Sequence, residues 1–270
     1  MAEILFADSA ILRCNIKRGV GESMHSHHYH DRFELYYLTG GRCHFFIDNR
    51  SYDLVAGDLV LIPEGVIHRT NYPSDEEQTR IVLEFSSRFV PKSVMAKLPS
   101  MGYLFRNPTL SSDILNMIRE IERECRNPDE FSQESLEARV SSLLFFLARN
   151  RMVGCPSATK NSMIEDVINY IKGNFAQDIR LANVAKSHFV SPEHLSRTFK
   201  HDTGFGFNEF ISLIRLQHAE HLLKERGSKS ISEIAYSCGF NDSNYFSDKF
   251  RRTYGISPLK YSKKGDGDIK

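Results

Sequence analysis

Residues 181–204 (LANVAKSHFVSPEHLSRTFKHDTG) and 231–255 (ISEIAYSCGFNDSNYFSDKFRRTYG) are two versions of one pattern. Leu181, Val184, Ala185, Leu195, Ser196, Phe199, Lys200 and Gly204 are answered in order by Ile231, Ile234, Ala235, Phe246, Ser247, Phe250, Arg251 and Gly255. The offset between copies is 50 residues before the central turn and 51 after it. Self-similarity held in register over this length marks a repeated supersecondary unit.

Each copy reads as a short helix, a tight turn and a longer helix. Leu181, Val184 and Ala185 share a helical face, and the small Ala185 lets a second helix cross closely. Ser191 is a good N-cap, Pro192 suits the first helical position, and Val190 and Leu195 stand where a hydrophobic staple belongs. Leu195 and Phe199 then point inward, Glu193, Ser196, Arg197 and Lys200 point outward, and Gly204 ends the helix. In the second copy Asn241 or Asp242 is the cap, and Tyr245, Phe246 and Phe250 form the apolar side. Ser243, Asn244, Ser247, Asp248, Lys249 and Arg251 are left exposed, and Gly255 closes the helix. Between the copies, residues 207–226 form an amphipathic helix about 30 Å long at 1.5 Å per residue. That length suits two recognition helices in successive major-groove turns, about 34 Å apart.

The repeat sits in a helical domain at 162–262, followed by a tail at 263–270 (KGDGDIK closes it) read as disordered. Before it, residues 151–161 (RMVGCPSATKN) have no hydrophobic period and read as a linker. The preceding 1–150 form a different domain. Runs such as 33–38, 43–47, 59–62 and 81–85 are rich in aromatic and β-branched residues, punctuated by Gly40-Gly41, Asp48-Asn49 and Gly57-Asp58. From about residue 110 the period becomes helical, with Ile114, Met117, Ile118 and Ile121 in one helix and Leu136, Val140, Leu143, Leu144 and Leu147 in the next. The fold class is therefore α+β in two domains: a β-barrel with a helical hairpin, then an all-α domain with two helix-turn-helix units.

The 270-residue chain has a net charge of only +1, but the halves differ. Residues 1–159 hold 18 Lys and Arg against 21 Asp and Glu, and residues 160–270 hold 17 against 13. The basic half is the one with the repeat. No apolar run approaches the roughly 20 residues of a membrane helix, and the first 20 residues lack the pattern of a secretory signal. The five cysteines are scattered, with no C-x-x-C, which argues against a disulfide framework and a zinc finger. A cytoplasmic setting is the expectation. No P-loop, dinucleotide fingerprint or Ser-His-Asp set is visible.

The run from Arg215, Leu216, Ala219, Leu222 and Leu223, through Ile231, Ile234, Ala235, Gly239 and Phe240, to Tyr245, Phe246, Phe250, Gly255, Ser257, Pro258 and Tyr261 closely resembles the AraC/XylS family of bacterial transcription regulators. The resemblance covers about the last hundred residues. It implies a seven-helix DNA-binding domain whose third and sixth helices enter the major groove of promoter DNA. Carried over by position, Glu193, Ser196 and Arg197 face bases in the first unit, with Ser191 at the helix start and Lys200 nearer the backbone. In the second unit Asn244, Ser247 and Asp248 face bases, beside Ser243. Arg and Asn can pair with guanine and adenine edges, whereas an acid can only accept. Asp248 stands where Arg197 stands in the first copy and many family members carry a base there. The second unit is therefore expected to act mainly through phosphate contacts from Lys249, Arg251 and Arg252.

In the β region, His28-x-His30-x3-Glu34-x6-Gly41 precedes Gly57-x5-Pro63-x-Gly65-x2-His68. These stretches resemble the two motifs of the cupin barrel, with Gly21 and Asn71 each one residue early. In metal-binding cupins three His and one Glu at these places hold a divalent ion, which implies His28, His30, Glu34 and His68 as ligands for Zn, Fe, Ni or Mn. The alternative reading keeps His28, His30, Glu34, Tyr36 and His68 as the lining of a metal-free effector pocket. His25 and His27 fall in a loop, and His44 could face either way.

The reading is a ligand-responsive transcription regulator, not an enzyme. Its expected partners are promoter DNA, a small polar effector of which carbohydrate is the commonest expectation, a second copy of the chain, and RNA polymerase. The alternatives are a metal-dependent cupin enzyme with an accessory helical domain, and a helical adaptor without salt-dependent DNA affinity.

Overall fold

In the computed structural model residues 2–5, 11–20, 29–73, 76–150, 161–225 and 229–263 are described. His28, most of the linker and the tail from residue 264 lie outside them. The chain forms two compact units, Met1–Thr159 and Lys160–Lys270.

Among the described residues of the first unit nine strands form two sheets. They are β1 (Ala2–Leu5), β2 (Ile11–Val20), β3 (Phe33–Gly40), β4 (Arg42–Ile47), β5 (Arg50–Val55), β6 (Leu59–Ile62), β7 (His68–Asn71), β8 (Glu77–Phe85) and β9 (Leu104–Phe105). One sheet has the order β1-β2-β8-β3-β6-β9 and the other β5-β4-β7, with every pairing antiparallel. Two short helices, α1 (Lys92–Met95) and α2 (Leu98–Met101), lead to the long pair α3 (Ser111–Arg126) and α4 (Ser132–Arg149). β3 is buried on both faces, so alternate residues serve different cores. Phe33, Leu35 and Tyr37 join Ile81, Leu83 and Phe85 of β8 and the apolar stripes of α3 and α4, including Ile118, Ile121, Leu136 and Leu143. Tyr36 and Leu38 join Phe45, Ile47, Tyr72, Val82 and Val60 in a second core that includes both sheets.

Among its described residues the second unit has seven helices: α5 (Ser162–Asn174), α6 (Leu181–Ser187), α7 (Pro192–Thr203), α8 (Phe207–Lys224), α9 (Ile231–Ser237), α10 (Ser243–Tyr254) and α11 (Pro258–Lys263). α6–α7 and α9–α10 are the two copies. Ser191 caps α7, its Oγ accepting from the His194 N–H at 3.1 Å, and Gly204 ends the helix at φ 76°. In the second copy the cap is Asp242, whose Oδ1 accepts from the Asn244 and Tyr245 N–H groups, both at 2.7 Å. The turns themselves superpose in their bonding: Val190 N–H donates to Ala185 and Phe240 N–H to Ala235. Asn241 is thus the extra residue that lengthens the offset.

One expectation fails. Tyr245 is not on the apolar side of α10 but 51% exposed. It sits one residue, about 100°, around the helix from Phe246, which is fully buried with Phe250. Its ring instead lies 5.7 Å from the Lys249 ammonium.

The turns also differ at one position that needs left-handed backbone. In the second copy it is Gly239 (φ 84°), where a Cβ would fall 2.8 Å from the Ala176 backbone. In the first copy it is Phe189 (φ 57°), 97% exposed. Gly239→Ala should therefore cost about 1–3 kcal/mol through strain and a backbone clash, whereas Phe189→Gly should gain about 1 kcal/mol by relieving the left-handed penalty. Urea unfolding of the full chain checks both signs.

Candidate functional site

Three of the four expected metal-ligand side chains come together in the first unit. His30 precedes β3, Glu34 is its second residue, and His68 opens β7. Their ligand atoms lie within 4.8 Å of one another. His30 Nε2 is 3.0 Å from Glu34 Oε2, and His68 Nε2 is 3.8 Å from the same oxygen. Glu34 and His68 are buried, and the His30 side chain is about a quarter exposed. The two rings meet edge to face at 5.1 Å, and His68 stacks on Phe45.

The backbone decides the tautomers. His30 Nδ1 faces the Arg32 carbonyl at 2.9 Å and His68 Nδ1 faces the Val66 carbonyl at 2.8 Å, so both Nδ1 atoms must be donors. With its other nitrogen against a carboxylate, His30 is satisfied as an imidazolium. Burial pulls its pKa down, but the Glu34 hydrogen bond and charge outweigh it and hold it above the ordinary value. Burial likewise pushes Glu34 up, yet the hydrogen bond from His30 and the nearby rings keep it below the usual carboxylate range. His68 has the opposite balance: burial lowers its pKa and keeps it neutral. Its Nε2 and the Glu34 Oε1 are buried with no hydrogen-bond partner. The bare His68 Nε2 and Glu34 Oε1, with Nδ1–H anchored behind both imidazoles, fit a divalent ion held by His30, Glu34 and His68, whose binding would displace the Nε2 proton of His30. His28 is outside the described residues.

Tyr36 lies on the same inward face as Glu34, and its hydroxyl is 2.9 Å from that of Tyr72. His44 is elsewhere: its Nδ1 is 2.8 Å from Asp53 Oδ1 on the other side of β4. Sequence reading missed Tyr72 and Arg80, both buried by this inner face, with the Arg80 guanidinium 4.8 Å over the Tyr72 ring. The only signal was the alternation of Arg80, Val82 and Glu84 with apolar neighbours.

On the second unit, Leu195, Phe199, Phe246 and Phe250 are fully buried, which turns the opposite sides of α7 and α10 outward. Ser191, Glu193, Arg197 and Lys200 are exposed and Ser196 is half-buried. Asn244, Asp248, Arg251 and Arg252 are exposed, while Ser243, Ser247 and Lys249 are half-buried. Several of these groups have local work. Ser191 is a cap, Ser247 Oγ donates to the Ser243 carbonyl, and the Glu193 carboxyl is held low by its own N–H and by Ser191. Asp248 pairs with Arg251 at 3.3 Å, so the acid that departs from the family pattern also engages one of the expected phosphate contacts. Among the described residues no helix is long and apolar enough to cross a membrane.

One unit thus holds the buried cluster of His30, Glu34 and His68, and the other a doubled helix-turn-helix. Residues 12–144 match the AraC-like ligand binding domain, and residues 184–264 match a helix-turn-helix domain. The chain is 30% identical to the uncharacterized HTH-type transcriptional regulator YijO of Escherichia coli (strain K12), over 77% of this chain and 74% of that one. It is 25% identical to the HTH-type transcriptional activator RhaS of Klebsiella pneumoniae (strain 342), over 94% of this chain and 93% of that one. Among solved structures, ToxT from Vibrio cholerae O395 aligns with 95% of this chain and 99% of that one at 19% identity, with a TM-score of 0.41. The chain belongs to the AraC family of transcriptional regulators, whose relatives here are DNA-binding regulators and not enzymes.

Glu34→Gln in chelator-treated protein should lower stability by about 1–3 kcal/mol, because it removes the charged acceptor of His30. A raised imidazole pKa contributes stability that is complete below about pH 6.5 and lost as pH rises through the folded value. The deficit should therefore be largest in acid and shrink as pH rises, which urea melts across pH 5–9 would measure.

Proposed function

We propose that this protein controls transcription by binding a small polar effector between the two sheets of its first unit and promoter DNA through α7 and α10. The bare His68 Nε2 and Glu34 Oε1 carry the effector half of the reading, since buried polar atoms without partners are rare unless a ligand satisfies them. His30, Glu34 and His68, with His28, would hold a divalent ion such as Zn, Fe, Ni or Mn; bound there it would act as a Lewis acid that orients an effector oxygen. A carbohydrate is the first effector class to test. The cytoplasm, where Cys14, Cys43, Cys125 and Cys238 would stay reduced, is the compartment; these four are free and buried. The exposed side of the α3–α4 pair is the proposed contact for a second copy, and RNA polymerase is the downstream partner.

On DNA, Arg197 is the principal base reader, with Ser196 and Glu193 beside it and Lys200 on phosphate. The second unit positions the protein through Lys249, Arg251 and Arg252, with Asn244 reaching bases and Asp248 restraining Arg251. Arg197→Ala should cost about 1–3 kcal/mol of specific binding and relax one base preference. Asp248→Ala should release Arg251, raising affinity on all sequences and steepening the salt slope by about one. Footprinting and salt titrations decide both, and an Arg197→Ala protein with unchanged affinity removes it from the reading set.

Elemental analysis of untagged protein purified without chelator, beside a His30→Ala/His68→Ala variant, tests the ion. Near-stoichiometric metal in the first and none in the second is the expected result. Absence from both would leave a metal-free pocket.

A further inference from the structure

The inner face that carries Glu34 continues along β3 and β8. Register places Glu34 opposite Glu84, Tyr36 opposite Val82, and Leu38 opposite Arg80. Arg80 thus lies four residues along β8 from Glu84, about 13 Å at 3.3 Å per residue. It is only 7% exposed, and its Nη1 is fully buried without a hydrogen-bond acceptor.

Nothing described around it supplies a negative charge. The carboxylates nearby along the chain are engaged elsewhere: Glu77 with Arg18, Glu76 with Arg42, and Glu84 with Arg13 and Arg32. Besides Lys17, a second cation that stands opposite Arg80 in the β2–β8 register, the ionisable neighbours are Tyr36, Tyr72 and Cys43. Burial pushes the Tyr72 hydroxyl and the Cys43 thiol each up to about 12. All three are neutral at physiological pH. The Tyr72 ring under the guanidinium offsets part of the desolvation but brings no charge. A buried, unpaired cation is costly to a fold, and the Tyr36 and Tyr72 hydroxyls, bonded to each other at 2.9 Å, have one hydroxyl hydrogen left between them to give.

We propose that Arg80 is the anchor for an anionic effector: the site takes an organic acid whose carboxylate meets the Arg80 guanidinium and the Tyr36–Tyr72 hydroxyl pair. A guanidinium and the one hydroxyl hydrogen left to the Tyr36–Tyr72 pair match the fork and a remaining lone pair of one carboxylate. A hydroxylated acid would meet both this end of the face and the His30–Glu34–His68 end. The assignment rests on the first unit being the effector-binding part, and it names the chemical class that part recognises.

The test is thermal unfolding of full-length wild type, Arg80→Met and Arg80→Lys at constant ionic strength. The probes are galacturonate, gluconate, succinate and butyrate, with galactose, glucose and the methyl esters as neutral counterparts. At least one acid should raise the wild-type transition by about 5–10 °C at a hundredfold excess over its Kd, and its neutral counterpart should not. Without ligand, Arg80→Met should melt no lower than wild type and should lose the acid response, while Arg80→Lys should keep a weaker one. A ligand-free Arg80→Met that melts several degrees lower shows the charge neutralised within the chain and overturns the proposal. An acid response that survives Arg80→Met, or no acid response at all, overturns it too. If galactose or glucose shifts wild type where the acids do not, the effector-binding reading stands and only the anion assignment falls. Silence from both classes removes both.

Discussion

One helix, α8, carries the second unit. Phe207, Phe210, Ile211, Leu213, Ile214, Leu216, Ala219 and Leu223 are all buried, which is more than one stripe of a helix can hide against a single neighbour. The burial makes sense only because α8 serves two units at once. Phe207 and Phe210 close around Phe199 of the first copy, at 5.6 and 5.5 Å between ring centroids. Leu216, Ala219 and Leu223 complete the core of Ile234, Phe246 and Phe250 in the second. Arg215 sits at the changeover, donating from Nε to the Phe175 carbonyl at 2.7 Å and from Nη2 to the Gln177 carbonyl, with its guanidinium near the Phe240 ring. At 18 residues α8 is about 27 Å long. Its length and its two-sided burial fix the copies relative to each other, a requirement for reading neighbouring turns of one DNA duplex.

β3 has the corresponding role in the first unit. Its outer face completes the apolar layer under α3 and α4, and its inner face turns from polar to apolar along its length. A strand with a partner layer on both sides cannot slip by one residue without exchanging Glu34 and Tyr36 for Phe33 and Leu35. That constraint is what keeps Glu34 aimed at His30 and His68. The unsatisfied atoms at one end, and at the other an Arg80 Nη1 without an acceptor and no free carboxylate beside it among the described residues, are costs that packing alone would remove.

The two helix-turn-helix copies have diverged in ways that matter physically. The first has an exposed Arg197 one turn beyond Glu193, whose carboxyl its charge helps hold low, and a turn strained at Phe189. The second has a strain-free Gly239 pressed on the Ala176 backbone and an Asp248 held on Arg251.

Much of this was legible from residue order. Helical and strand periods, caps at Ser191, Gly204 and Gly255, and the repeat itself are local or short-range signals, and chain order expresses them directly. The resemblance of 215–261 to a known family added the DNA-binding role, and the H-x-H-x3-E stretch pointed to the site at His30 and Glu34. What residue order left open needed contacts between distant segments. Whether Asn241 or Asp242 caps α10, and whether Tyr245 is inside, depends on a rotation set by Phe246 against Phe240 and α8. Arg80 is the clearest case. The polar side of a half-buried strand normally meets water, so an arginine there reads as solvated. Only a second sheet lying over that side, bringing Tyr72 from β7's end to Arg80 on β8, makes it a buried charge, because burial is a property of what covers a residue and not of the residue's neighbours in the chain.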